Sequence, residues 1–377
     1  MALAFVVAVA LGVGIGFATS GSSQSTRHPV KHAGAEPATS PHPPVAKRTT
    51  GAGPPVDLRR LVGQLIVGHY TGPRPSAAFL ARVRAGQLGS IILFGDNTAA
   101  GLAATRHAIA ELQAAARRGL NPPLLVMTDQ EGGEVRRLPG PPELAPADMT
   151  SAAVAHAQGV AAGRLLRSVG VNVDLAPVAD VERAPNSFLG TRSFGSDPAS
   201  VAARACAFAR GLSSTGLAYT LKHFPGLGRA DASTDLHRVT IPAPAARLRT
   251  DYAAYHACGS SPDAMIMISS ASYPSLTGSA PAVVSPEIYT HELPIAIGHA
   301  GQLTISDALD TPALAGQKAP ALRAIDAGLD LALFPGSEQE SATAYRQLLS
   351  DARHGSLPQS RLRSAVYAVE ALKRRVR

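Results

Sequence analysis

Residues 124–133 read LLVMTDQEGG, a short apolar run that ends directly in acidic residues and glycines. Seven further apolar runs of strand length occur along the chain, and stretches of helical periodicity lie between most of them. The eight runs cover residues 65–67, 90–94, 124–127, 171–175, 218–221, 264–268, 303–305 and 331–334. Helices are predicted over residues 76–85, 98–118, 151–169, 198–215 and 320–327.

Short, continuously apolar strands that alternate with helices are typical of a parallel sheet covered on both faces. Eight such units predict an α/β fold of the (β/α)8 TIM-barrel type, with a single barrel domain over residues 57–377. An open, doubly wound sheet is the alternative. It is disfavoured because no G-x-G-x-x-G turn follows the first predicted strand.

Two segments precede the predicted barrel. Residues 1–19 are almost continuously apolar and are interpreted as a signal peptide or a membrane anchor. Residues 20–56 are rich in Pro, Ser and His, show no periodicity, and are predicted to form a disordered linker. We therefore expect an exported protein that acts in the cell envelope or outside the cell, either released or anchored in the membrane through residues 2–18.

The composition argues against some classes of partner. The formal net charge is +8, and part of this excess lies in the C-terminal basic run of Lys373, Arg374 and Arg375, which we expect outside the core. A solvated basic surface is favoured over attraction to an anionic polymer. Aromatic residues make up only 5% of the chain and are not interleaved with the basic runs, so nucleic acid is not expected as a partner.

The chain has two cysteines, Cys206 and Cys258. They form no C-x-x-C pair, so a structural zinc site is not expected. In an exported protein they could form one disulfide or remain two separate buried thiols. Spacing along the sequence does not give their distance in space, and both possibilities stay open.

Residues with catalytic chemistry follow several predicted strands. Asp129 and Glu131 follow the third strand, Lys222 and His223 the fifth, and Asp307 the seventh. In a (β/α)8 barrel these positions converge at one end. A single polar residue after a strand is usually a helix cap or a turn former, and Asp307 alone could be a cap. Their joint occurrence after successive strands predicts an active site.

At these residues the chain resembles the N-terminal barrel of glycoside hydrolase family 3, in particular its single-domain β-N-acetylglucosaminidase branch. The resemblance rests on motifs that occur in the family's order from about residue 58 onward. They are GSIILFGDN (89–97), TDQEGGEVRRL (128–138), GVNVDLAPVADV (170–181), RSFG (192–195), KHFPG (222–226) and ISDAL (305–309). The resemblance implies a retaining exo-hydrolase that removes β-linked N-acetylglucosamine from peptidoglycan fragments or related glycosides.

The resemblance also implies roles for individual residues. Asp307 is the expected nucleophile, and it would form a covalent glycosyl intermediate. Asp235 and His237, a D-x-H pair on a mobile loop after KHFPG, are the expected acid/base. The residues expected to hold the sugar hydroxyls are Asp129, Arg137, Arg192, Lys222 and His223. The expected partner is a carbohydrate substrate, with no metal, no other cofactor, and a monomeric chain.

These residue types suit the implied chemistry. A retaining glycosidase needs a carboxylate nucleophile and a proton donor on the other side of the scissile bond, and imidazole titrates near neutral pH. Residues i and i+2 share a face only in an extended chain, so Asp235 and His237 require a non-helical loop. Judged by their spacing alone, Asp235 and His237 would be interpreted as ordinary solvated loop residues.

The sequence departs from the family pattern at several positions. Leu227 stands where KHFPG is usually followed by a second His, the loop before Asp235 is longer, Glu134 replaces an Arg, and Ser270 stands where a His is common. Two alternatives follow. One is a β-glucosidase-like exo-hydrolase, although such relatives take a carboxylate acid/base from a second domain. The other is a catalytically weakened protein that binds wall sugars.

Overall fold

The computed structural model describes residues 57–184 and 187–376. The segments predicted as a signal peptide or anchor (1–19) and as a linker (20–56) lie outside the described residues. None of the helices in the described part of the chain is both long and apolar enough to cross a bilayer.

Eight parallel strands form one sheet, and each arises from one of the predicted apolar runs. They are β1 (Ile66–Gly68), β2 (Ser90–Leu93), β3 (Leu125–Thr128), β4 (Val173–Asp174), β5 (Ala218–Phe224), β6 (Ala264–Ile268), β7 (Thr304–Ser306) and β8 (Ala332–Phe334). The order is β8-β1-β2-β3-β4-β5-β6-β7, and a parallel bridge between Ile305 and Leu331 closes the circle. The predicted TIM-type barrel is confirmed.

Helices surround the barrel. They are α1 (Leu58–Gln64), α2 (Ala77–Arg84), α3 (Gly95–Thr98), α4 (Leu102–Arg118), α5 (Ala152–Val169), α6 (Pro198–Ser213), α7 (Ala245–Arg249), α8 (Ala253–Cys258), α9 (Pro274–Thr277), α10 (Leu293–Ile297), α11 (Pro320–Ala327), α12 (Glu338–His354) and α13 (Gln359–Arg375). The helix predicted over 98–118 is interrupted, because Gly101 adopts a φ of 89° before α4 begins.

The barrel interior is apolar, and α13 packs against it at the amino ends of the strands. Met127, Val173 and Met267 lie in the interior, and Leu372 and Val376 belong to the same apolar cluster. The expectation that the C-terminal basic run lies wholly outside the core is wrong for Lys373, which is 3% exposed. Its Nζ donates to Gln64 Oε1 at 2.7 Å and to the carbonyl of Gly89 at 2.8 Å, so backbone and amide acceptors make its burial possible.

The two cysteines form a disulfide. Cys206 on α6 is bonded to Cys258 at the end of α8, across 52 residues of sequence. Of the two possibilities left open by the sequence, the structure contains the covalent link. The enclosed segment includes β5 and the whole loop that carries Asp235 and His237.

Candidate active site

A pocket of about 250 Å³ opens at the carboxyl end of the barrel strands. Its apolar lining consists of Ile92, Phe94, Val135, Leu175, Met267, Ala308, Leu333 and Pro335. Its polar lining consists of Asp129, Glu131, Arg137, Arg192, Lys222, His223, Asp235 and Asp307. The volume suits a ligand of one sugar ring, since sites for drug-sized ligands begin at about 300 Å³.

The turn after β3 places Asp129 and Glu131 in the pocket. The chain continues into a small antiparallel ribbon of Gln130–Gly132 with Val135–Arg136, so alternate side chains point to the same side. Gly132 has a φ of 114°, and a Cβ there would lie 2.1 Å from the carbonyl oxygen of Leu144. This position therefore requires glycine.

Four of the polar side chains form a buried ionic lattice. Lys222 Nζ lies 2.7 Å from Asp129 Oδ1 and 2.6 Å from Glu131 Oε1. Arg192 binds Glu131 with two parallel hydrogen bonds of 2.8 Å. Lys222 and Glu131 are only 2% and 1% exposed, so each charge depends on its partners.

The lattice fixes the ionisation of its members. Burial alone would raise the pKa of Glu131, but the charges of Lys222 and Arg192 outweigh it and hold that pKa at about 2. Burial alone would lower the pKa of Lys222, but Asp129 and Glu131 raise it above its ordinary value. Glu131 is thus charged together with Lys222 and Arg192 at neutral pH.

His223 is oriented by Asp180. The imidazole Nδ1 lies 2.8 Å from Asp180 Oδ2, and the other carboxylate oxygen accepts the backbone N–H groups of His223 and Leu227 at 3.2 and 2.6 Å. These contacts leave the other ring nitrogen of His223 toward the pocket. Leu227 is 1% exposed, so the residue that replaces the usual His packs into the core.

Arg137 lies at the pocket wall, with its guanidinium carbon 5.6 Å from the centre of the Phe94 ring. Its Nε is buried and donates to no described residue. A cation held on an aromatic face, with spare donors, is suited to oxygen-rich ligands.

Asp307 follows β7 directly and faces the pocket. Its Oδ1 accepts the backbone N–H of Ala308 at 2.9 Å, and its Oδ2 accepts the hydroxyl of Thr234 at 3.1 Å. The bond to Ala308 N is to the adjacent residue and does not cap an α-helix, because a 3₁₀ turn begins only at Pro312. Both oxygens are held in place beside the space that a ligand would occupy.

Asp235 also lines the pocket, from the loop that follows β5. Asp235 is itself solvent-exposed, but partial desolvation at the pocket and the nearby charge of Asp307 raise the pKa of Asp235 above its ordinary value. This loop approaches the rest of the barrel closely at Gly228, where a Cβ would lie 1.8 Å from the carbonyl of Val181.

His237 is placed differently. Residues 234–236 form a turn, closed by hydrogen bonds from the N–H groups of Leu236 and His237 to the carbonyl of Ser233. The His237 side chain is exposed and is not among the residues that line the pocket. Asp235 and His237 both lie on the non-helical loop that their spacing requires, but only Asp235 faces Asp307.

The sequence assigned no individual role to three residues of the site, although Glu131 was expected near it because it follows the third predicted strand. Glu131 is the centre of the ionic lattice, and its i, i+2 spacing from Asp129 before a glycine pair could have indicated it. Asp180 orients His223, and Thr234 binds Asp307. No pattern in the sequence distinguishes Thr234 from other loop threonines.

Asp174, at the end of β4, holds the backbone of the turn that carries Asp129 and Glu131. It is fully buried, its Oδ1 accepts the backbone N–H of Gln130 at 3.0 Å, and its Oδ2 has no partner among the described residues. Burial raises the pKa of Asp174 to about 8. Asp174 is therefore mostly protonated near pH 7, and it adds no negative charge to the ionic lattice.

Comparisons with known proteins agree with this geometry. The family model "Glycosyl hydrolase family 3 N terminal domain" matches residues 57–372. The chain is 33% identical to "Beta-hexosaminidase LpqI" of Mycobacterium tuberculosis, with 90% of this chain and 89% of that protein covered. It is 30% identical to an "Uncharacterized secreted glycosyl hydrolase" of Arthroderma benhamiae, with 85% and 94% covered.

Among solved structures, the barrel is similar to a glycoside hydrolase family 3 β-N-acetylglucosaminidase from Paenibacillus sp. str. FPU-7. The TM-score is 0.79 at 28% identity, and the match covers 85% of this chain. It spans 63% of that longer protein.

Proposed function

The chain belongs to glycosyl hydrolase family 3, and from this premise we propose that it is a retaining, exo-acting β-N-acetylhexosaminidase with Asp307 as nucleophile. The enzyme class is supported by the curated relative of Mycobacterium tuberculosis, which the chain matches over nearly the whole length of both proteins. The observation that carries the mechanism is the position of Asp307, a carboxylate held by two donors at the wall of a pocket of one-sugar size.

In the proposed reaction, a carboxylate oxygen of Asp307 attacks the anomeric carbon as the bond to the leaving oxygen breaks. The leaving oxygen takes a proton from the acid/base group. A glycosyl ester on Asp307 results. A water molecule then attacks the same carbon, its proton returns to the acid/base group, and the Asp307 carboxylate is released with the β configuration retained.

The sugar is held by the ionic lattice and its neighbours. Asp129 and Glu131 can accept hydrogen bonds from hydroxyl groups, while Lys222, Arg192 and Arg137 can donate to them. Charged partners make these hydrogen bonds stronger than neutral ones. Because the lattice residues already hold each other, the pocket needs little reorganisation when the ligand binds.

We assign the acid/base role to Asp235 and His237 together. The raised pKa of Asp235 favours its protonated form, which a proton donor requires. His237 lies on the same loop but outside the pocket. For the imidazole to reach the leaving oxygen, the turn at residues 234–236 has to open, so proton transfer through His237 is coupled to a loop movement.

We propose peptidoglycan fragments or related N-acetylglucosamine glycosides as substrates, and action outside the cytoplasm. Disulfides persist mainly in oxidising compartments, so the link between Cys206 and Cys258 supports export. The relative of Arthroderma benhamiae is described as secreted. A signal peptide over residues 1–19 or an anchor formed by residues 2–18, and a monomeric state, belong to the same proposal.

The test is a trapping experiment. A 5-fluoro N-acetylglucosamine donor with a good leaving group is expected to label Asp307, and peptide mass spectrometry locates the label. Asp307→Ala is expected to abolish both labelling and turnover of an aryl β-N-acetylglucosaminide. Asp326→Ala, which removes an exposed carboxylate on α11, is the matched control and is expected to label normally. Label on another residue, or turnover by Asp307→Ala at the wild-type rate, would overturn the assignment.

A further inference from the structure

The loop after β5, which carries the proposed acid/base residues, is held to the barrel at its start. The carbonyl of Gly228 accepts the N–H groups of Arg183 and Ala184, from the loop after β4, at 2.7 and 3.1 Å. Ala230, two residues further on, is 2% exposed. Main-chain hydrogen bonds and burial therefore join the start of this loop to the loop beside it.

Asp251, between α7 and α8, adds an ionic clamp at the same place. It is 6% exposed. Its Oδ1 accepts two hydrogen bonds from Arg183, at 3.1 Å from Nε and 2.7 Å from Nη2. Its Oδ2 accepts Nη2 of Arg229 at 3.1 Å, and the same Nη2 donates to the carbonyl of Arg247 at 3.2 Å. One buried carboxylate thus joins the loop after β4, the loop after β5 and α7.

The loop after β5 is fixed again at its far end. The N–H of Ile241 donates to the carbonyl of Ser272, and the N–H of Ser272 donates to the carbonyl of Val239, both at 2.9 Å. Between the two fixed ends lie residues 231–238, most of which are exposed. The movement that His237 needs to reach the pocket is thereby confined to this segment.

Within the clamp, Arg229 is the member that belongs to the moving loop. Hydrogen bonds between a guanidinium and a carboxylate are stronger than neutral ones, and the buried Asp251 depends on its partners. The clamp therefore opposes displacement of Arg229 when the turn at residues 234–236 opens. The turn moves relative to a fixed point five residues before it.

We propose that Arg229 is a positioning residue for proton transfer. Bound to Asp251, it fixes the end of the segment 231–238, which moves to bring His237 to the leaving oxygen. Arg229 does not line the pocket, so it acts through the loop. Without this anchor the loop samples more positions, and fewer molecules have the imidazole within reach. The inference rests on the proposed function, since it needs a proton transfer that depends on His237.

The test uses the full chain and two leaving groups. Arg229→Gln removes the loop's share of the clamp and leaves Arg183 bound to Asp251. For a β-N-acetylglucosaminide of a weakly acidic phenol, we expect kcat/KM to fall about tenfold. For the dinitrophenyl glycoside, whose leaving group needs no proton, kcat/KM should stay within about twofold of wild type. Arg229→Lys keeps one charged donor and is expected to recover part of the loss.

Arg249 provides a matched control on α7. It donates two hydrogen bonds, of 3.1 and 2.7 Å, to Glu292, which is 2% exposed. No hydrogen bond between described residues joins Arg249 to the loop after β5. Arg249→Gln therefore breaks a comparable ion pair and is expected to lower the urea midpoint of unfolding at least as much as Arg229→Gln. It should leave the rates on both glycosides unchanged.

Hydrogen exchange tests the anchor without catalysis. Peptides that cover residues 227–238 are expected to exchange faster in Arg229→Gln than in wild type or in Arg249→Gln, because the loop has lost a fixed end. Unchanged exchange in Arg229→Gln would overturn the inference.

A double variant connects the anchor to the group that it positions. In a His237→Gln background, Arg229→Gln is expected to add little further loss of rate, because the positioned imidazole is already absent. Equal losses on the two glycosides, or losses that multiply fully with those of His237→Gln, would overturn the inference alone. Absence of turnover of both glycosides by wild type would overturn the proposed function, and the inference with it.

Discussion

The hydroxyl of Thr234 donates a hydrogen bond to Oδ2 of Asp307 at 3.1 Å, although the two residues are 73 positions apart. Thr234 is 3% exposed and immediately precedes Asp235. The loop that carries the proposed acid/base group is thereby bonded to the proposed nucleophile. The position of one depends on the position of the other.

We expect Thr234→Val to lower kcat with little effect on KM. Valine has a similar shape but no hydroxyl, so Asp307 loses a donor and its rotamer becomes less restricted. Hydrogen bonds to charged groups contribute about 1.5–3 kcal/mol, which corresponds to a loss of roughly ten- to a hundredfold in rate. Steady-state kinetics with an aryl glycoside measure it. Thr234→Ser keeps the hydroxyl and should recover most of the rate; equal losses in the two variants would exclude this role.

The contributions of Asp235 and His237 to proton transfer can be distinguished by comparing substrates whose leaving groups differ in acidity. If they act as a pair, His237→Gln and Asp235→Asn should both slow glycosides of weakly acidic phenols by roughly 10²–10⁴-fold. The same variants should cleave a dinitrophenyl glycoside with much smaller losses in the first step, because that leaving group needs no proton. A His237→Gln enzyme that matches wild type on both substrates would leave Asp235 as the sole donor.

The pH dependence of stability is expected to change in Lys373→Met. Burial lowers the pKa of Lys373 to about 7, whereas an unfolded lysine titrates near 10.4. Between these values the unfolded chain binds a proton that the folded chain does not, so stability rises with pH by up to about 1.4 kcal/mol per unit. The destabilisation from charging the buried amine is absent above about pH 10.4 and reaches its full size as the pH falls to about 7. Urea unfolding at pH 7, 8 and 9 should show this slope in wild type relative to the variant; parallel curves would contradict it.

Loss of the disulfide is expected to destabilise the fold. Cross-linking across 52 residues restricts the unfolded chain by about 4 kcal/mol in the chain-entropy treatment. Cys206→Ala/Cys258→Ala should therefore unfold at lower urea concentration than oxidised wild type. Reductant should lower the midpoint of wild type and leave that of the double variant unchanged. A wild-type midpoint that does not respond to complete reduction would show that the link contributes little.

The sequence predicted the barrel, and the meeting of polar side chains at one end of it, because both depend on local patterns. Each strand is an uninterrupted apolar run, and a parallel barrel brings all strand ends to one side. Asp129, Lys222 and Asp307 therefore meet whatever the details of the loops between them. The interruption at Gly101 was missed because helical periodicity continues on both sides of it.

The features that could not be predicted depend on long-range contacts. The burial of Lys373 requires Gln64 and Gly89, which are about 300 positions away in the chain. The pairing of Cys206 with Cys258 depends on how α6 packs against α8. The outward position of His237 follows from one turn around Ser233, and its residue spacing equally allows an extended segment.

The ionic lattice around Glu131 separates the groups that are proposed to bind the sugar from the groups that are proposed to transfer protons. With the pKa of Glu131 near 2 and that of Lys222 above its ordinary value, these two residues of the proposed sugar pocket keep their charges across the pH range in which most proteins stay folded. The contribution of Glu131 and Lys222 to sugar affinity should then change little with pH, so an acid or alkaline limb in the rate should arise from other groups, among them the loop that carries Asp235. An engineer could retune the working pH at the loop without disturbing which sugar is recognised.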